Sequence, residues 1–130
     1  MKKLSLFVLT VVLLGLVATV GAAPAWKPTK TIELIAPANP GGGWDMLCRV
    51  IQKALTEEKL VDKPVIITNK PGGGGSVGWT YLKGKKGQGE YLAATSSLLI
   101  LNNLLGTSDL TYKDFTPIAC MQAEWEAIVV

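Results

Sequence analysis

The chain has 130 residues, 18% of them charged, with 13 Lys and Arg against 10 Asp and Glu, two cysteines and no histidine. That length accommodates one domain, and a net charge that falls from +3 to +1 once Lys2 and Lys3 are set aside argues against a nucleic-acid binder, which needs a strongly basic face. Without histidine, and with its two cysteines far apart, the chain lacks both the usual zinc-ligand sets and the base of a serine triad.

The N-terminus reads as a leader. Met1-Lys2-Lys3 is basic, Leu4 to Val20 is an apolar run with isolated hydroxyl residues, and Ala23-Pro24-Ala25 offers small residues for cleavage. This pattern predicts a signal peptide over residues 1–25, with Trp26 as the first mature residue and cleavage after Ala22 as the variant. The competing assignment is a membrane anchor, for which the run is slightly short. Removing Lys2 and Lys3 from the 13 basic residues leaves 11 against 10 acidic ones, a near-neutral balance.

After an extended lead-in to Lys30, Thr31 to Ala36 is predicted as a strand closed by Pro37, which cannot donate to a central ladder. A loop containing Pro40-Gly41-Gly42-Gly43-Trp44 follows, and Asp45 is expected to cap the next helix. In that helix Met46, Leu47, Val50, Ile51, Ala54 and Leu55 recur at helical spacing and predict one buried stripe. The design then repeats. Val65 to Thr68 is a second strand, Asn69-Lys70-Pro71-Gly72-Gly73-Gly74-Gly75 a second loop, and Ser76 to Lys83 a short helix weakened by Gly78. Gly84 to Gly89 is a basic surface turn.

Tyr91 to Thr95 is a third predicted strand, with Ser96 and Ser97 following its C-terminal end, and Leu98 to Leu105 is an apolar helix. A loop to Asp114 places Asp109 and Tyr112 at the surface, and Ile118–Met121 and Ala127–Val130 read as further strands. Alternating strands and helices predict an α/β fold with a doubly wound, mostly parallel sheet. The apolar strand pattern running to Val130 predicts a truncated sequence. Cys48 and Cys120 could pair in an exported protein; buried free thiols are the simpler expectation.

Two strand–Pro-Gly-Gly-Gly–helix units suggest two loops converging on one small anion, since bare backbone N–H groups and a helix dipole point the same way. Other motifs match only by letter. Gly73-x-Gly75-x-x-Gly78 has the dinucleotide spacing, but Lys70 and Pro71 separate it from its strand and no acidic residue ends the next strand. Gly78 is followed by Trp79-Thr80, which is not a P-loop. Gly74-x-Ser76-x-Gly78 matches a nucleophile elbow, leaving an exported serine hydrolase using Ser76 as an alternative if a histidine lies outside this chain. Trp44 and Trp79 flank the two loops and would either wall a cleft or be partly buried.

Three stretches together resemble the Bug-type substrate-binding receptors of tripartite tricarboxylate transporters. They are Ile32-x-Leu34-Ile35-Ala36-Pro37 running into Pro40 to Asp45, Val65-x-x-x-Asn69-Lys70-Pro71-Gly72 to Gly75, and Tyr112-x-Asp114-Phe115-Thr116-Pro117-Ile118-Ala119. The resemblance implies a periplasmic binding protein fold of type II, of which residues 26–130 would form the incomplete first lobe. It implies a small di- or tricarboxylate as ligand, integral-membrane permease subunits as partners, a periplasmic location, and no catalysis, cofactor or metal. Carried over by motif, the ligand-binding residues would be Gly41, Gly42, Gly43, Trp44 and Asp45, then Gly72, Gly73, Gly74, Gly75 and Ser76, and more loosely Ser96 and Ser97. A degenerate fragment that binds nothing is the remaining alternative.

Overall fold

The computed structural model describes residues 26–123. The expected leader over 1–25 and the expected strand Ala127–Val130 lie outside the described residues. The fold is built on β1, Ile32–Ala36, flanked by β2, Val65–Asn69, and β3, Tyr91–Ala93, in the order β2-β1-β3. Both pairings are parallel, with Ala36 opposite Asn69 and Ile35 opposite Ala93. Ile32, Leu34, Ile35 and Ala36 are all buried, as a central strand of a parallel sheet requires when both of its faces are covered.

Three helices make the connections: α1, Gly43–Glu57; α2, Ser76–Lys83; and α3, Leu98–Leu104. Side chains alternate across a strand. Ile32, Leu34 and Ala36 pack with Cys48, Leu47 and Ile51 of α1, while Glu33 reaches the Tyr81 hydroxyl of α2 at 3.5 Å. A second core joins Trp79 of α2, Leu99 of α3 and Leu110, with Ala93 and Phe115 against them. The predicted α/β parallel sheet is therefore the observed one.

Three expectations need correction. First, α1 begins at Gly43 and its N-cap is Gly42, so Asp45 lies inside the first turn and does not cap it. Second, the buried stripe of α1 is narrower than its apolar pattern. Met46 and Val50 are 60% and 65% exposed and Ala54 is exposed, because the three-stranded sheet covers only the neighbouring row through Leu47, Cys48 and Ile51. Third, residues 118–121 form no strand, and Cys120 is exposed. A strand needs a ladder partner for its backbone groups, and among the described residues none lies beside this segment. Both cysteines are free thiols.

Candidate functional site

Because the three strands are parallel, the segments leaving their C-terminal ends emerge at one edge of the sheet. That edge is where ligands settle in open α/β sheets. The ladders run slightly past the strands: Lys70 N–H donates to the Ala36 carbonyl at 2.8 Å and Ala94 N–H to the Ile35 carbonyl at 3.1 Å. The two glycine loops and Ser96-Ser97 all start from this edge.

In the first loop, Gly42 N–H turns back to the Asn39 carbonyl at 3.0 Å, and Gly42 is extended before the helix opens at Gly43. The first intrahelical bond is Met46 N–H to the Gly42 carbonyl. The N–H groups of Gly43, Trp44 and Asp45 donate to no acceptor among the described residues, and they carry the positive end of a 15-residue helix dipole.

The Asp45 side chain points the other way, into the protein. It is fully buried. Its Oδ2 accepts from Gly41 N–H at 2.8 Å and from Arg49 Nε at 2.8 Å; its Oδ1 accepts from Asn69 Nδ2 at 2.9 Å and from Arg49 Nη2 at 3.2 Å. A carboxylate in the third helical position can reach back past the cap, which is why it sits here and not at the cap itself. The Arg49 guanidinium, then Gly41 N–H and the Asn69 amide, hold this carboxyl well below the usual carboxylate range. The anion is internally satisfied; what Asp45 offers outward is its backbone N–H.

The second loop runs through four successive positive φ values, +121°, +56°, +59° and +102° at Gly72 to Gly75. Gly75 N–H closes the turn onto the Gly72 carbonyl at 3.0 Å, whereas Gly73 and Gly74 N–H donate to no acceptor among the described residues. A side chain at Gly75 would also clash outright, and one at Gly72 or Gly74 would make a tight contact. A Cβ at Gly75 would stand 2.6 Å from the Trp79 ring, and one at Gly74 would stand 3.0 Å from Asn102 Nδ2. Ser76 opens α2, and its Oγ lies 3.3 Å from Asn102 Nδ2. Among the described residues the side chain bonded to the Ser76 hydroxyl is this amide, which is not a base.

The tryptophans divide their roles. Trp79 is core, 1% exposed, with Nε1–H donating to the Ala94 carbonyl at 3.0 Å, so it lines no cleft. Trp44 is half-buried and meets Trp79 edge-on, with centroids 5.5 Å apart. Lys70, the one cation within the predicted loops, places its ammonium 4.1 Å from the Tyr81 ring centroid, a cation–π contact on the α2 side.

Asn69 joins the two glycine loops through Asp45, and its amide also donates to the Ala38 carbonyl at 3.0 Å. Ser96 and Ser97 are exposed, and among the described residues neither bonds to a glycine loop. The third segment reaches the second loop instead through Asn102 of α3, whose Nδ2 lies 3.2 Å from the carbonyls of both Gly73 and Gly74. Arg49 and Asn102 were not singled out by sequence, and Asn69 was named only as the first residue of the second loop. Only Arg49 carries a local signal, four residues after Asp45 on one helix.

No family model matches the chain. It is 36% identical over 66 residues to Protein BugT of Bordetella pertussis, covering 48% of this chain and 20% of that protein. It is 30% identical over 112 residues to a UPF0065 protein of Bordetella bronchiseptica, covering 83% of this chain and 32% of the relative. The crystal structure of a TctC solute binding protein from Polaromonas, without ligand, matches 70% of this chain with TM-score 0.65 and 35% identity, over 31% of its own length. A structure described as a periplasmic transporter matches 65% of this chain with TM-score 0.56 and 31% identity, over 28% of its length. The chain therefore spans a third or less of each of these relatives. Sequence and fold agree with the motif resemblance: the likeness to the Bug and TctC proteins supports a receptor-type protein of the tripartite tricarboxylate kind.

Proposed function

We propose that the protein is a periplasmic solute receptor that captures a small di- or tricarboxylate and hands it to the membrane permease of a tripartite transporter, doing no chemistry on the ligand. The observation that carries this reading is the set of unspent backbone donors at one sheet edge: Gly43, Trp44 and Asp45 from the first unit, Gly73 and Gly74 from the second. A carboxylate is the chemistry that suits them. It accepts several N–H bonds at once and is favoured at the positive end of α1. Export through a cleaved leader over residues 1–25 fits a periplasmic role. The likeness to a solute binding protein and to a periplasmic transporter supports the same reading.

In this mechanism backbone shape outweighs side-chain charge. A charge-assisted hydrogen bond is worth about 1.5–3 kcal/mol, so losing two would weaken binding by roughly a hundredfold or more. The test is calorimetric titration of succinate, citrate and related acids into the full-length protein and its Gly42→Val, Gly73→Val and Lys70→Ala variants. The glycine variants should lose at least that factor. Lys70→Ala should lose little, since its ammonium already sits on Tyr81. Normal binding by both glycine variants, with none by Lys70→Ala, would replace this mechanism with a side-chain one.

A further inference from the structure

Four glycines in a row have the largest backbone entropy to lose of any such stretch, so something must hold the second loop in a single shape. Among the described residues only one side chain reaches its carbonyls. Asn102 Nδ2 lies 3.2 Å from Gly73 O, 3.2 Å from Gly74 O and 3.3 Å from Ser76 Oγ. The atom facing two carbonyl oxygens must be the donor nitrogen, since an amide oxygen there would oppose both. Asn102 is itself well fixed. Its own carbonyl accepts from Thr107 N–H at 2.9 Å, Ser108 N–H at 3.2 Å and Thr107 Oγ1 at 3.0 Å, and Leu99 on the same helix is buried against the Trp79 core.

We propose that Asn102 is the positioning residue of the second glycine loop, drawing the Gly73 and Gly74 carbonyls toward α3 so that the free N–H of Gly74 stays turned to the ligand. In a trans peptide the N–H lies opposite the carbonyl. Holding the Gly73 carbonyl on Asn102 therefore sets Gly74 N–H on the far side, where it meets no protein acceptor. Glycine tolerates either sign of φ, so without this anchor the Gly73–Gly74 peptide is held by the Ser76 N–H bond to the Gly73 carbonyl alone, and part of the cost of ordering the loop would then be charged to ligand binding. The inference rests on the carboxylate reading for its ligand. Its structural half stands without it.

The experiment uses the full-length protein and three variants: Asn102→Ala, the isosteric Asn102→Asp, which presents oxygens to the carbonyls, and Leu104→Ala as an exposed control on the same helix. Backbone 15N order parameters of Gly73 to Gly75 are measured without ligand, and succinate is then titrated calorimetrically. The expected result is rigid amides, about 0.85, in the parent and the control, falling below about 0.6 in both Asn102 variants, with succinate bound about tenfold more weakly by them. Amides that stay rigid in both Asn102 variants overturn the proposal, and so do loosened amides with unchanged succinate affinity. If the loop loosens as expected but the parent binds no succinate, citrate or related acid, Asn102 keeps its positioning role and the carboxylate reading fails alone.

Discussion

The side-chain amide of Asn69, the last residue of β2, donates to the buried carboxylate of Asp45 in the first turn of α1 at 2.9 Å. One hydrogen bond thus spans the two glycine loops, and the same amide nitrogen also holds Ala38 at the start of the first loop. Asp45 in turn pins Gly41 N–H at 2.8 Å. This latch, together with the Lys70 N–H bond to the Ala36 carbonyl, ties the two sets of backbone donors to each other.

Asp45→Asn keeps the shape of that latch but turns an acceptor toward Arg49 and Gly41 into a donor at one of its two positions. Buried donors facing donors are costly, so thermal melting followed by circular dichroism should fall by several degrees. Arg49→Gln should fall less, because the Arg49 side chain is 56% exposed and water can take its place. An Asp45→Asn midpoint within a degree of the parent would show that the latch contributes nothing to the fold.

Acid should destabilise the protein through three named carboxylates. Asp45 is held low chiefly by Arg49, Asp114 by Lys83 at 2.8 Å and Thr111 N–H, and Glu90 by Thr29. Each folded-state value lies below the unfolded one, so the stability these groups add is full above the unfolded carboxylate range, about pH 4, and is lost as pH falls below it. Urea midpoints should be level from pH 7 to 5 and drop by pH 3, and the drop should shrink in Asp114→Asn. A midpoint that rises between pH 5 and pH 3 would contradict the assignment.

The two cysteines should differ in reactivity. Cys48 is 2% exposed, its thiol directed at the Ile35 carbonyl at 3.7 Å, and burial pushes its pKa up. Cys120 is exposed. Thiolate, not thiol, is the nucleophile, so iodoacetamide on the native protein at about pH 8 should label Cys120 and spare Cys48 by mass spectrometry. Equal labelling would show that the α1–sheet core opens readily, and protection of both would point to a disulfide absent from the structure.

Much of this architecture was legible because it is local. The apolar run of β1, the Pro-Gly punctuation after it and the helical spacing of Leu47 and Ile51 each announce themselves within a few residues, and alternating elements implied the parallel sheet. The latches were not legible, because Asn69 to Asp45 and Asn102 to Gly74 join positions 24 and 28 apart with no periodicity. The exposure of Met46 and Val50 was equally hidden. An apolar residue beside the buried row carries the same letters as one within it, and only the width of the sheet decides between them.

Gly43→Ala separates a glycine proposed to face the ligand from a structural one. Gly43 has no positive φ, and a Cβ built on it meets nothing within 4 Å. Alanine is the better helix former by about 1 kcal/mol in a helix interior, less at the first position, so stability should hold or rise slightly. Gly75→Ala is the opposite case. Its methyl would enter the Trp79 ring at 2.6 Å on a backbone held at φ +102°, which combines overpacking with left-handed strain for a cost of roughly 2–4 kcal/mol. Yet Gly43 carries one of the free N–H groups at the start of α1, and a methyl beside it crowds any anion that comes to hydrogen-bonding distance. Urea unfolding and carboxylate titration of the two variants should therefore part company: Gly75→Ala loses stability, whereas Gly43→Ala keeps its stability and loses affinity. If Gly43→Ala binds as tightly as the parent, no ligand approaches the start of α1, and the donors of the second loop must act without it.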